Sequence, residues 1–282
     1  MEDVLDAEDK WTTAKSLNVH YLDWGNPSAP AMLLLHGLCG NAHYWDFFAQ
    51  RVRQDYHVLV PDLRGHGDSS WAASYGPRDY VLDLEAFVDE IGMSSTVLVG
   101  HSISGITAIA YAARQPDRVS KLTIVDIGPE IAAVGAQRLQ EELARQPETF
   151  DSEEKAIAYM KLLEPRQSDT YVQQQVKYAL KTDDLGRLRF KHDRALCDTQ
   201  VRSPEWLWEY LEQVVCPTLV VHGVESDMLL AEVALKMRDK LPFGSTVDIE
   251  GAGHSVPRDN PKGFEVVIRR FLSSGLAPPA AG

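Results

Sequence analysis

The sequence is poor in cysteine, in basic charge and in long apolar runs. Its three cysteines, Cys39, Cys197 and Cys216, are an odd number with no close pair, which excludes a disulfide framework and fits a reducing cytoplasm. Lysine and arginine number 28 against 41 aspartates and glutamates, leaving a formal charge of −13. Such a deficit argues against nucleic acid or an anionic membrane as partner, because the sequence-independent part of that binding needs a basic face. No apolar run approaches the roughly 18 residues that span a bilayer. The acidic start "MEDVLDAEDKW" lacks the regions of a signal peptide, and no internal repeat is present. The expectation is a soluble cytoplasmic protein whose partner is a small molecule, with a homodimer allowed.

What is present is an alternation of short apolar runs and helical patterns. "AMLLLHG", "YHVLVPD", "TVLVGHS" and "KLTIVD" are rich in Val, Leu and Ile over four to six positions, as strands buried on both faces should be. Tyr80, Leu84, Phe87, Val88 and Ile91 follow helical spacing. "NVHYLDWG" near the start reads as an antiparallel edge. Residues 128–211 are helical, charged and poor in strand patterns, so they read as an inserted cap, with "SPEWLWEYLEQV" opening on a Ser cap and a Pro. "PTLVVHG" and "STVDIEG" resume the strands, and a last helix buries Phe264, Val267, Ile268 and Phe271. The expected fold class is α/β, a doubly wound, mostly parallel sheet. Its core spans 1–127 and 212–275, with a disordered tail over 276–282.

Chemistry concentrates in "VGHSISG". Ser102 lies between Gly100 and Ser104 at a strand-to-helix reversal, the arrangement that exposes a nucleophile on a strained turn. Acyl transfer also needs a base, a group that orients it and two oxyanion donors. His254 in "GAGHSVP" follows the last predicted strand, at the sheet edge where open α/β folds bind ligands, and is the expected base. The amide of Ile103, at the start of the next helix, and that of Leu38, in the turn "HGLCGN", are the expected oxyanion donors. His36, His66 and His101 are read as loop-holding residues. Trp45, Trp206, Trp208 and Tyr210 are candidates for an apolar substrate wall. Arg138, Arg145, Arg166 and Lys177 are expected on solvated faces of the cap.

Taken together, "HGLCGN", "DLRGHGDS", "GHSISG", "VDIGP", "VVHGVESD" and "GAGHSVP" make the chain resemble the α/β-hydrolase family from about Leu17 to Leu272. The resemblance implies hydrolysis of an ester, amide, lactone or related bond by a serine, a histidine and an acid, with no cofactor and no metal. Ser102 disfavours the branch with an aspartate nucleophile. In the family the acid usually stands three residues after a glycine beyond the seventh strand. Here that glycine is Gly223 and the position holds Ser226, with Asp227 one place later. Other members carry the acid after the sixth strand, where this chain has Asp126, a carboxylate ending a buried run that needs a partner. Asp126 is preferred and Asp227 is the alternative. The expected activity is a serine esterase acting on a small carboxylic ester. Its rivals are an amidase, a lactonase or a carbon–carbon bond hydrolase, and outside the enzymes a ligand-binding receptor.

Overall fold

The computed structural model describes residues 7–274, so the expected tail over 276–282 lies outside the described residues. The chain opens with a hairpin of β1 (Glu8–Ala14) and β2 (Leu17–Asp23), then runs β3 (Ala31–Leu35), α1 (Asp46–Val52), β4 (His57–Pro61), α2 (Pro77–Ile91), β5 (Thr96–His101), α3 (Ile103–Arg114) and β6 (Val119–Val125). A long excursion follows, with α4 (Ala133–Arg145), α5 (Glu153–Leu163), α6 (Asp169–Ala179), a short hairpin of β7 (Leu180–Thr182) and β8 (Leu188–Phe190), and α7 (Leu207–Leu211). The sheet resumes in β9 (Thr218–Gly223) and β10 (Gly244–Ile249), accompanied by α8 (Ala231–Lys240), α9 (Val256–Asp259) and α10 (Pro261–Ser273).

Eight strands form one sheet in the order β1-β2-β4-β3-β5-β6-β9-β10. The β1–β2 and β2–β4 pairs are antiparallel and the other pairs parallel. Successive side chains of the central strands point to opposite faces, and both faces are covered. Leu33, Leu35, Leu98 and Leu122 pack with Leu84 and Phe87 of α2 and with α3 and α8. Their neighbours Met32, Leu34, Val97 and Val99 pack instead with Phe48 of α1 and with Phe264, Ile268 and Phe271 of α10. Continuous Val/Leu runs are the sequence mark of that two-sided burial.

The cap has its own small core of Phe150, Ala156, Met160, Val172, Val176, Leu180 and Phe190. One difference from the sequence reading concerns its end: Leu207 and Leu211 of α7 join the main core beside α3, so α7 packs with the core although it lies within the 128–211 span read as cap. Among the described residues no helix is long and apolar enough to cross a membrane.

Candidate active site

The carboxyl ends of β3, β5, β6 and β9 and the loop after β10 converge on one edge of the sheet. Ser102 joins β5 to α3 at φ 57°, ψ −126°, a conformation that costs a serine about 1–3 kcal/mol unless its surroundings impose it. They do so by close approach. A Cβ on Gly100 would lie 2.3 Å from the Ser104 carbonyl oxygen, and one on Gly37 would lie 3.2 Å from the Ser102 Cβ. The Ser104 hydroxyl, where a glycine is commoner, donates to the His36 carbonyl at 2.5 Å and so ties the turn at Ser102 to the turn after β3.

Three side chains form a hydrogen-bonded chain. Ser102 Oγ lies 3.0 Å from His254 Nε2, and His254 Nδ1 lies 2.8 Å from Asp126 Oδ2. An Nδ1–H held by the carboxylate leaves Nε2 as the acceptor for the serine proton. Asp126, fully buried and at φ 52°, is satisfied on both oxygens: Oδ1 accepts from the Gly223 amide at 2.9 Å and Oδ2 also from the Ser226 hydroxyl at 2.5 Å. Ser226, in the family's usual acid position, therefore serves the acid by hydrogen bonding to it.

The alternative acid lies elsewhere. Asp227 makes a two-pronged bond to Arg138, Nε to Oδ2 at 2.6 Å and Nη2 to Oδ1 at 2.8 Å, and that arginine holds its carboxyl below the ordinary range. The structure brings Asp126, and not Asp227, to the imidazole. The physical reason is the turn after β9, where Ser226 faces inward and the next side chain faces the cap.

The groups around the serine enclose a cavity of about 480 Å³, lined on the core side by Gly37, Leu38, Ser102 and His254 and on the cap side by residues such as Tyr159 and Met160. Leu38 faces this cavity, in a turn closed by a Gly40 amide to Gly37 carbonyl bond of 3.1 Å. Ile103 opens α3, where amides have no partner within the helix. His36, His66 and His101 hold loops. The Leu63 amide donates to His36 Nε2 at 3.1 Å and the Cys39 amide to His66 Nε2 at 3.0 Å, while His101 Nε2 bonds the His254 carbonyl at 2.9 Å. Burial pulls all three rings below their ordinary value, so they stay neutral.

The four aromatic candidates for the substrate wall are corrected, since none of them lines the cavity. Trp45 is fully buried against Phe48 and Phe264. Trp206 meets Tyr210 edge to face at 5.2 Å, and Trp208 and Tyr210 pack on the main core. The helical spacing of Trp206, Trp208 and Tyr210 reflects the packing of α7 on the main core. The arginines Arg138 and Arg166, expected on solvated faces, do line the cavity, but each is paired, Arg138 with Asp227 and Glu142 and Arg166 with Glu225 at 2.7 Å. Arg145, which is exposed, pairs with Glu141 at 3.2 Å.

Sequence reading missed a charged group inside the wall. Arg258, 4% exposed, reaches the cavity from α9 with its guanidinium 4.4 Å from the Tyr44 ring centre. Among the described residues its hydrogen bonds run to the Tyr44 and His43 carbonyls, at 3.4 and 3.5 Å. Burial pushes the nearby Glu164 and Asp259 carboxyls above the ordinary range. The only trace in the sequence was its place four residues after His254.

Comparison with known proteins places these features in context. A model described as "Alpha/beta hydrolase family" matches residues 32–265. The chain is 27% identical over 272 residues to a 3-hydroxybutyrate-oligomer hydrolase of Cupriavidus necator, covering 90% of this chain and 92% of the relative. It is 26% identical to an esterase of Mycobacterium tuberculosis, covering 90% of this chain and 86% of the relative. Among solved structures, E-2-(acetamidomethylene)succinate hydrolase superposes with a TM-score of 0.88 at 22% identity, over 95% of this chain and all of the other, a likeness of fold.

Proposed function

Since the chain belongs to the alpha/beta hydrolase family, we propose that it is a cytoplasmic serine esterase that cleaves a small carboxylic ester through an acyl-enzyme. The observation that carries this reading is the chain of bonds from Ser102 Oγ to His254 at 3.0 Å and on to Asp126 at 2.8 Å. In the proposed mechanism Ser102 Oγ attacks the ester carbonyl as His254 Nε2 takes its proton, and Asp126 keeps the imidazole in the required tautomer. The amides of Leu38 and Ile103 donate to the oxyanion that forms. His254 then gives the proton to the departing alkoxide, releasing the alcohol. A water activated by the same nitrogen attacks the acyl-enzyme, freeing the acid and restoring Ser102.

A cavity of about 480 Å³ suits a small substrate. Arg258, buried with no ion-pair partner among the described residues, supports an ester that itself carries a carboxylate, because a planar guanidinium pairs with one through two parallel bonds. Names of the relatives agree in part: they are an oligomer hydrolase and an esterase. Amides, lactones and carbon–carbon bonds yield to the same machinery, so the substrate is to be sought with short and long acyl esters, acidic esters, lactones and amides side by side.

A fluorophosphonate tests the chemistry. The probe is expected to label Ser102, and Ser102→Ala to lose labelling and at least about three orders of magnitude in kcat while remaining folded. A variant that keeps a tenth of the activity overturns the assignment, and an unlabelled wild-type protein favours a ligand-binding receptor.

A further inference from the structure

Beside the oxyanion turn lies a second cluster that the proposed reaction does not use. Cys39 comes from the turn after β3, while His192 and Cys197 come from the cap segment after β8. One ligand atom from each of the three lies within 4.8 Å of the others. We propose that Cys39, His192 and Cys197 bind one soft divalent metal ion, of which Zn²⁺ is the type, and that the bound ion clamps the cap to the turn carrying the Leu38 amide.

The donor set and its surroundings support this. Two sulfurs and an imidazole are the ligands that soft and borderline metals prefer, whereas magnesium and calcium take oxygen. In a tetrahedral zinc site the ligand atoms sit about 3.3–3.8 Å apart, so from within 4.8 Å of one another the three must close by about 1.5 Å at most, within the reach of small side-chain rotations. A fourth side is occupied by the amide oxygen of Gln146, 2.8 Å from His192 Nε2 and 3.1 Å from Cys197 Sγ. Gln146 and Cys39 both line the main cavity, which provides a path of entry. The Cys39 backbone is held in place by its amide bond to His66, whose Nδ1 in turn bonds the Arg64 carbonyl at 2.8 Å. On binding, the two thiols release their protons to solvent and the sulfurs take up the metal.

Another group of ligand-type residues, His20, Asp62 and Asp68, offers two carboxylates and an imidazole, without a thiol. Asp62 is already occupied by His20 and by the amides of Ala42 and Asp68. The soft cluster differs also in consequence, since its three ligands come from both the cap and the core. An ion that binds only the folded chain raises its stability by mass action.

The test uses the full-length reduced protein and the metal alone. Co²⁺ titrated anaerobically is expected to give a thiolate-to-cobalt charge-transfer band that saturates at one equivalent and is bleached by Zn²⁺, and Zn²⁺ is expected to raise the melting temperature. Cys39→Ser and Cys197→Ser should each lose the band and the thermal shift, and Cys216→Ser should keep both. If Cys39→Ser fails to fold, Cys197→Ala carries the same comparison. Absence of the band in the wild-type protein, or its survival in the Cys39 and Cys197 variants, overturns the proposal.

Discussion

Asp126 gathers a backbone amide, a hydroxyl and an imidazole on one buried carboxylate, whereas Asp227 is spent on Arg138. The two aspartates should therefore respond very differently to the same change. Asp126→Asn keeps the shape but favours the wrong imidazole tautomer, and a loss approaching about 10⁴ in kcat is expected. Asp227→Asn breaks a partly exposed ion pair worth at most about 1 kcal/mol and should leave kcat within a few-fold of normal. Parallel kcat measurements decide between them, and a crippled Asp227→Asn beside a near-normal Asp126→Asn would overturn the proposed triad. Arg258 has a different signature. With matched acidic and neutral esters, Arg258→Gln should raise KM for the acidic one by about 10- to 100-fold, the worth of a charge-assisted hydrogen bond, and change the neutral one little. Equal losses on both would show that the arginine is needed for packing alone.

At the scale of the element, the junction of β5 with α3 and the end of α2 show two different uses of glycine. Gly100 is bare because backbone passes through the space its Cβ would take, 2.3 Å from the Ser104 carbonyl oxygen. Gly92 closes α2 at φ 75° with nothing within 4 Å, so only its left-handed conformation matters there. Gly92→Ala should cost about 1 kcal/mol. Gly100→Ala should cost several times more and displace Ser102, because the clash is with backbone that cannot turn aside. Urea midpoints for the pair, with fluorophosphonate labelling of each, check this. Comparable losses of stability would mean that the turn at Ser102 relaxes more readily than its packing implies.

Across the whole molecule, three buried histidines, two in the turns after β3 and β4 and one ending β5, lie around the site, and their titration couples it to the stability of the fold. His36, His66 and His101 are held below their ordinary value of 6.5, chiefly by burial. As pH falls below about 6.5 the unfolded chain takes up protons that the folded one refuses, so stability drops, by about 1.4 kcal/mol per pH unit for each proton. His20 works the other way. Burial pulls it down, but hydrogen bonds to Asp62 and Asp9 outweigh that and raise it, so its contribution is present below 6.5 and is lost as pH rises through its folded value. Among the histidines three rings against one leave a net decline, opposed in part by the raised Glu164 and Asp259, and urea midpoints measured from pH 7.5 down to 5 should fall. A flat profile over that range would show that the segments around the three rings open to let them charge.

The sequence by itself determined the sheet and the place of its chemistry, because both rest on local pattern. Val/Leu runs buried on two faces are continuous stretches, and a serine between small residues at a strand-to-helix turn needs no distant partner to be recognised. The amphipathic face of α10, with Phe264, Ile268 and Phe271 buried, was legible for the same reason. What lay beyond reach were contacts between segments far apart in the chain. Whether Asp126 or Asp227 meets His254 depends on the turn after β9, and the spacing from Gly223, which puts Ser226 in the usual acid place, favoured Asp126 without excluding Asp227. Aromatic residues at helical spacing in α7 had the same appearance whether they faced a cavity or the core. Arg258 took on meaning only once α9 carried it under Tyr44. Cys39 and Cys197, read from the sequence as unpaired thiols, came together only when the cap folded over the turn after β3. Tertiary structure decided these because burial and partnership are properties of the space between segments, which no stretch of sequence holds alone.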